Sequence, residues 1–156
     1  MYIGIDNGIY HDNSLLNNAG TIISEAAAID MFGDQNQVNN TGTIAARNFG
    51  VAFEYGTGSQ LINFGDISAA TVTAVALYGT GCLLENTGTI TSGGFDAVVG
   101  GTNAFTIHNS GIITGVGNAI NGSPGVGDVE RCGLGTLLTM SGTMKAIKTK
   151  FRGDCN

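Results

Sequence analysis

Val38-Asn39-Asn40-Thr41-Gly42-Thr43-Ile44 carries the phrase that decides the fold, Asn-x-Gly-x-Ile. The phrase recurs as Asn18-Ala19-Gly20-Thr21-Ile22, Asn63-Phe64-Gly65-Asp66-Ile67, Asn86-Thr87-Gly88-Thr89-Ile90 and Asn109-Ser110-Gly111-Ile112-Ile113. Successive glycines lie 22, 23, 23 and 23 residues apart. A fixed period of this length marks a repeat architecture, and it takes precedence over any local assignment.

Two more positions keep step. An aliphatic residue stands two places before each Asn: Leu16, Val38, Leu61, Leu84 and Ile107. Seven or eight residues after each motif Ile, a small residue precedes a β-branched one, in Ala28-Ile29, Gly50-Val51, Ala74-Val75, Ala97-Val98 and Ala119-Ile120. Gly8-Ile9 resembles the same element of a preceding, incomplete repeat. Within each repeat apolar residues alternate over short segments punctuated by Gly and Asn, which is strand periodicity, and no stretch sustains a helical pattern. Three short strands and three turns in 22–23 residues make one coil of a parallel β-helix. A leucine-rich repeat of similar length would need several Leu at fixed offsets. The expectation is an all-β, right-handed parallel β-helix of about 5–6 coils, roughly 25–30 Å tall at ~4.8 Å per coil.

Stacking gives the repeated positions their roles. The aliphatics before Asn, the motif Ile residues (Ile22, Ile44, Ile67, Ile90, Ile113) and the β-branched set (Ile29, Val51, Val75, Val98, Ile120) form three inward columns. Each member contributes roughly 1.5–3 kcal/mol on full burial. Asn18, Asn40, Asn63, Asn86 and Asn109 stack at a bend as a structural amide ladder. Gly20, Gly42, Gly65, Gly88 and Gly111 turn the corner, and the expectation is that they do so in a backbone conformation other residues avoid.

Composition agrees. Of 156 residues, 26 are Gly and one is Pro. Proline is scarce because interior strands need their N–H groups. A hydrophobic share of 42% with only 12% charged residues excludes a disordered chain. Collagen, with its strict glycine period and abundant proline, and helical bundles are excluded as well. The net charge of −6 argues against nucleic acid, which needs clustered Lys and Arg. Residues 1–127 hold nine acids and one base, Arg47, whereas residues 128–156 hold three acids and five bases. Cys82, Cys132 and Cys155 fit neither a disulfide framework nor a zinc site. No apolar run is long enough to span a bilayer, and Met1–Asp6 lacks the features of a secretory signal.

The repeated x-Asn-x-Gly-Thr-Ile with a midway Gly/Ala-Ile/Val pair resembles the passenger region of bacterial autotransporters of the pertactin kind, over roughly residues 3–127. The resemblance implies a right-handed parallel β-helix, export to the Gram-negative cell surface, and adhesion as the commonest role. The chain shows neither the signal peptide nor the barrel strands of that pattern, so it looks like an internal fragment or a degenerate copy.

After Ile120 the pattern decays. Val129 and Gly133 fall in step, but Arg131 and Gly135 replace the expected Asn and Ile. Leu138-Thr139-Met140-Ser141-Gly142-Thr143-Met144 copies the phrase out of step. Residues 1–127 are thus assigned to the β-helix, and residues 128–156 to an atypical cap or a degenerate, out-of-frame tail.

Chemistry is sparse in this reading. Glu25, Asp30, Asp34, Glu54, Asp66, Glu85 and Asp96 mostly occupy different columns and are expected as solvated surface acids. Glu85 and His108 each precede a motif Asn and face outward on neighbouring coils, a surface pair worth under ~1 kcal/mol. Gly125-Val126-Gly127-Asp128 is a single, misplaced copy of a calcium repeat. Thr21, Thr43 and Thr89 share a column that Asp66 and Ile112 interrupt, unlike the regular threonine arrays of ice-binding helices. No catalytic, cofactor or metal site is expected. The expected role is a non-enzymatic segment of a cell-surface or secreted adhesin. Its partners would be host or surface glycans or proteins, together with neighbouring coils of a longer chain. A carbohydrate-binding or -cleaving β-helix is the alternative, and a non-functional gene fragment the third reading.

Overall fold

The computed structural model describes residues 8–101 and 105–122, and the backbone of residues 137–140 and 143–146. Strand β1 (Ile9–Tyr10) precedes five coils. The first comprises β2 (Leu15–Asn18), β3 (Thr21–Ser24) and β4 (Ile29–Phe32), and the second β5 (Gln37–Asn40), β6 (Thr43–Ala46) and β7 (Phe49–Phe53). The third is β8 (Gln60–Asn63), β9 (Asp66–Ala69) and β10 (Thr73–Leu77). The fourth is β11 (Cys82–Asn86), β12 (Thr89–Ser92) and β13 (Val98–Gly100), and the fifth β14 (Phe105–Asn109), β15 (Ile112–Gly115) and β16 (Ile120–Asn121). Strands β17 (Leu137–Met140) and β18 (Thr143–Ala146) follow.

Every third strand joins the same sheet, so three six-stranded parallel sheets run the length of the molecule. Sheet A holds β1, β4, β7, β10, β13 and β16; sheet B begins at β2 and sheet C at β3. The chain is an all-β parallel solenoid of about five turns.

Register places equivalent residues over one another. Val38, Leu61, Leu84 and Ile107 align in sheet B, Ile44, Ile67, Ile90 and Ile113 in sheet C, and Ile29, Val51, Val75 and Val98 in sheet A. All twelve are essentially inaccessible to solvent. Met31, Phe53 and Leu77 add a fourth inward column, also in sheet A. Ala28, Ala74 and Ala97 fill the narrow gap ahead of the β-branched set. At Gly50 even a Cβ would collide with the Ile67 side chain.

Two expectations about register change. Ile9 pairs with Met31, not Ile29, so Gly8-Ile9 sits two residues out of step with Ala28-Ile29. In this register the Phe32 ring occupies the space a side chain at residue 8 would need. At the other end, Ile107 faces Leu138 and Asn109 faces Met140, 31 positions on instead of 22 or 23. The out-of-step phrase is therefore the one whose backbone extends sheets B and C. Val129, Gly133 and the rest of 123–136 lie outside the described residues, as do 147–156.

Candidate functional site

The five asparagines at the sheet B–sheet C corner form a continuous chain of side-chain amides. Nδ2 of Asn18 donates to Oδ1 of Asn40 at 2.8 Å, Asn40 to Asn63 at 2.8 Å, Asn63 to Asn86 at 2.7 Å and Asn86 to Asn109 at 2.7 Å. The same Nδ2 groups reach backbone carbonyls: that of Asn63 donates to Gly65 at 3.0 Å and to Thr89 at 3.4 Å. All five side chains are buried, so the ladder meets the polar demands of a dry corner.

The corner glycines work differently from the expectation. None of Gly20, Gly42, Gly65, Gly88 and Gly111 has a positive φ; those conformations fall at Gly33, Gly56, Gly58, Gly81, Asn13 and Gln35, in the sheet A–sheet B connections. What demands glycine at 42, 65, 88 and 111 is space. A Cβ there would overlap the carbonyl oxygen of the corner glycine one coil below. That oxygen must come close because it accepts the next coil's N–H, as Gly20 O does from Thr43 at 2.8 Å. Gly20 itself, at the end of the stack, meets nothing within 4 Å.

The acidic side chains are not a uniform solvated set. Asp34 accepts from the backbone N–H and hydroxyl of Thr57 at 2.8 and 3.1 Å. Asp12 accepts from the Asp34 N–H at 2.7 Å. Asp96 holds the Asn118 N–H at 2.6 Å and the side chains of Asn118 and Asn121, each at 2.7 Å. These carboxylates clamp one coil to the next. The sequence left this role unread because Asp12 and Asp34 keep the 22-residue period over two coils only, with Thr57 next in step, and Asp96 stands elsewhere in its coil. Asn36, fully buried between the Ser14 N–H and the carbonyls of Phe32 and Gly33, was missed because its column changes residue type, from Ser14 through Asn36 to Ser59.

One outward cluster has functional character. Asp30 and Glu54 lie on adjacent coils at the outer edge of sheet A, half-buried, with Tyr78 one coil further. Burial raises the Asp30 carboxyl, whose Oδ1 is enclosed without a hydrogen-bond partner. Burial and then the Asp30 charge raise Glu54, and burial and then the Glu54 charge raise Tyr78. Beside them runs an aromatic strip. Tyr10 stacks on Phe32 with ring centres 4.4 Å apart, and Phe32 meets Tyr55 at 5.9 Å. Two perturbed carboxylates next to exposed rings can accept hydrogen bonds, offset positive charge, or exchange a proton.

Elsewhere the surface offers less. Nδ1 of His108 lies 4.0 Å from Oε1 of Glu85, both about half exposed, on directly paired residues of β11 and β14. An open groove of about 370 Å³ on sheet C is lined by Ile23, Glu25, Ala45, Arg47 and Ser68 among others, and contains one carboxylate. Cys82 is buried and its thiol is pushed up to about 11 by that burial, which keeps it unreactive near neutral pH. Among the described residues no three His, Cys, Asp or Glu side chains are grouped to hold a metal ion, and no helix is long and apolar enough to cross a membrane.

Fold and surface together define a parallel β-solenoid with an internal amide ladder. The chain matches no family model, no curated protein and no solved structure.

Proposed function

We propose that the chain is a non-enzymatic solenoid segment of a bacterial cell-surface or secreted adhesin of the autotransporter type, extending and presenting a binding or spacer surface. The observation behind this reading is the unbroken Asn18–Asn109 ladder with its inward columns in constant register. These features commit the inside of every coil to stacking and leave outward positions free to differ from coil to coil. The outward surface does differ: an aromatic–acidic corner on one side, a Glu25–Arg47 groove on another. The test coats inert beads with purified chain and measures their retention on surfaces bearing host matrix proteins or bacterial glycans. Retention above uncoated beads is expected. Turnover of pectin-like polyanionic glycans, lost in Glu54→Gln, would overturn the reading.

That second outcome belongs to the alternative, a carbohydrate-active β-helix. The paired Asp30 and Glu54 carboxylates, both raised, favour it, because glycan cleavage uses two carboxyl groups, one of them held protonated.

A further inference from the structure

We infer that the outer corner around Tyr55 is a docking site for a cationic side chain, Arg or Lys, of a protein partner; the inference rests on the presenting role above and names the partner's chemistry. Tyr55 is 70% exposed and Tyr10 68%, large values for rings beside a packed core. Tyr10, Phe32 and Tyr55 form a run along the solenoid axis, so Phe32 is covered on both sides and the free ring faces are those at the ends.

Charge selects the occupant. Glu54 adjoins Tyr55 in the chain, and Asp34 is tied to the same coil through Thr57, with Asp12 hydrogen-bonded to Asp34 in turn. Asp30 lies close enough to Glu54 to raise it. Residues 8–46 contain no Lys or Arg, and His11 is their one basic side chain. An exposed tyrosine ring on a corner that carries several carboxylates attracts a guanidinium or ammonium through the ring quadrupole and the local negative charge, and repels an anionic ligand.

The experiment titrates the full chain with a blocked Ala-Arg-Ala-Arg-Ala peptide, following backbone amide shifts by NMR, and repeats it with citrulline in place of arginine. Shifts centred on Tyr10, Phe32, Glu54 and Tyr55 are expected, with the neutral citrulline peptide about tenfold weaker. Tyr55→Leu, at an exposed ring, should weaken the arginine peptide about threefold to fivefold at unchanged melting temperature, and Glu54→Gln should weaken it similarly with no loss of melting temperature. Equal binding of the two peptides, or undiminished binding by both variants, overturns the proposal. So does a neutral glycan such as cellohexaose moving these amides when the arginine peptide does not. Bead retention that survives in Tyr55→Leu would keep the presenting role while removing this site from it.

Discussion

At the scale of single residues, the ladder and the corner glycines show how a stacked fold turns one position into several constraints. Asn63 is wholly buried and serves two neighbouring amides and two backbone carbonyls. Asn48 accepts one bond, from the Thr71 hydroxyl at 3.1 Å, in an exposed setting. Asn63→Leu should therefore cost about 3 kcal/mol through stranded partners, lowering the melting temperature by roughly 6–12 °C. Asn48→Leu should stay within about 1 kcal/mol. Equal melting temperatures would remove the ladder from the account of stability. The glycines allow a second comparison. Gly65→Ala forces a Cβ into the Gly42 carbonyl and must separate two coils, so a loss of several kcal/mol is expected, on the order of ~3. Gly20→Ala, with open space and no positive φ, should leave the melting temperature unchanged or slightly raised. Thermal unfolding followed by circular dichroism reads both pairs.

At the scale of elements, the outer edge of sheet A carries a desolvation cost at Asp30 and Glu54. Asp30 and Glu54 have carboxyls raised above their ordinary values of 3.8 and 4.5. The folded state thus binds protons more tightly than the unfolded state. Their contribution favours folding below about pH 4 and is lost as pH rises from there through the raised folded-state values. Asp30→Asn and Glu54→Gln should therefore stabilise the protein at pH 7, and the gain should vanish on acidification below that window. Urea midpoints at pH 7 and pH 3.5 check it; destabilisation by both variants at pH 7 would contradict the sign. Asp96→Asn should weaken the attachment of β16 by removing the carboxylate that accepts from the Asn118 N–H and from the side chains of Asn118 and Asn121.

At the scale of the whole molecule, each coil contacts its immediate neighbours, so stability is graded along the axis. Leu16 and Ile22 in the first coil are only partly buried, whereas Val38, Ile44, Leu61 and Ile67 are enclosed. Amide hydrogen exchange should be slowest in β5–β12 and markedly faster in β2 and β3. Uniform protection from β2 to β12 would instead mean that the stack opens as one unit.

The sequence by itself determined the period, the three inward columns, the ladder positions and the strand class, because a stacked coil imposes the same requirement on the same place every 22 or 23 residues. It was mistaken about why the corner needs glycine, since close approach between coils has no signature within one coil. Only the tertiary structure decided that Asn109 is followed on the stack by Met140, through an insertion whose length the period does not set. It alone brought Asp30, Glu54 and Tyr78 to one edge, and it showed that Tyr10, Phe32 and Tyr55, which keep the period of 22 and 23 residues, meet ring to ring. Asp30, Glu54 and Tyr78 lie 24 positions apart, one more than the longer period, and follow no motif. Their meeting depends on how unequal connections between sheets A and B bring successive coils into register, and that geometry exists only once the coils are stacked.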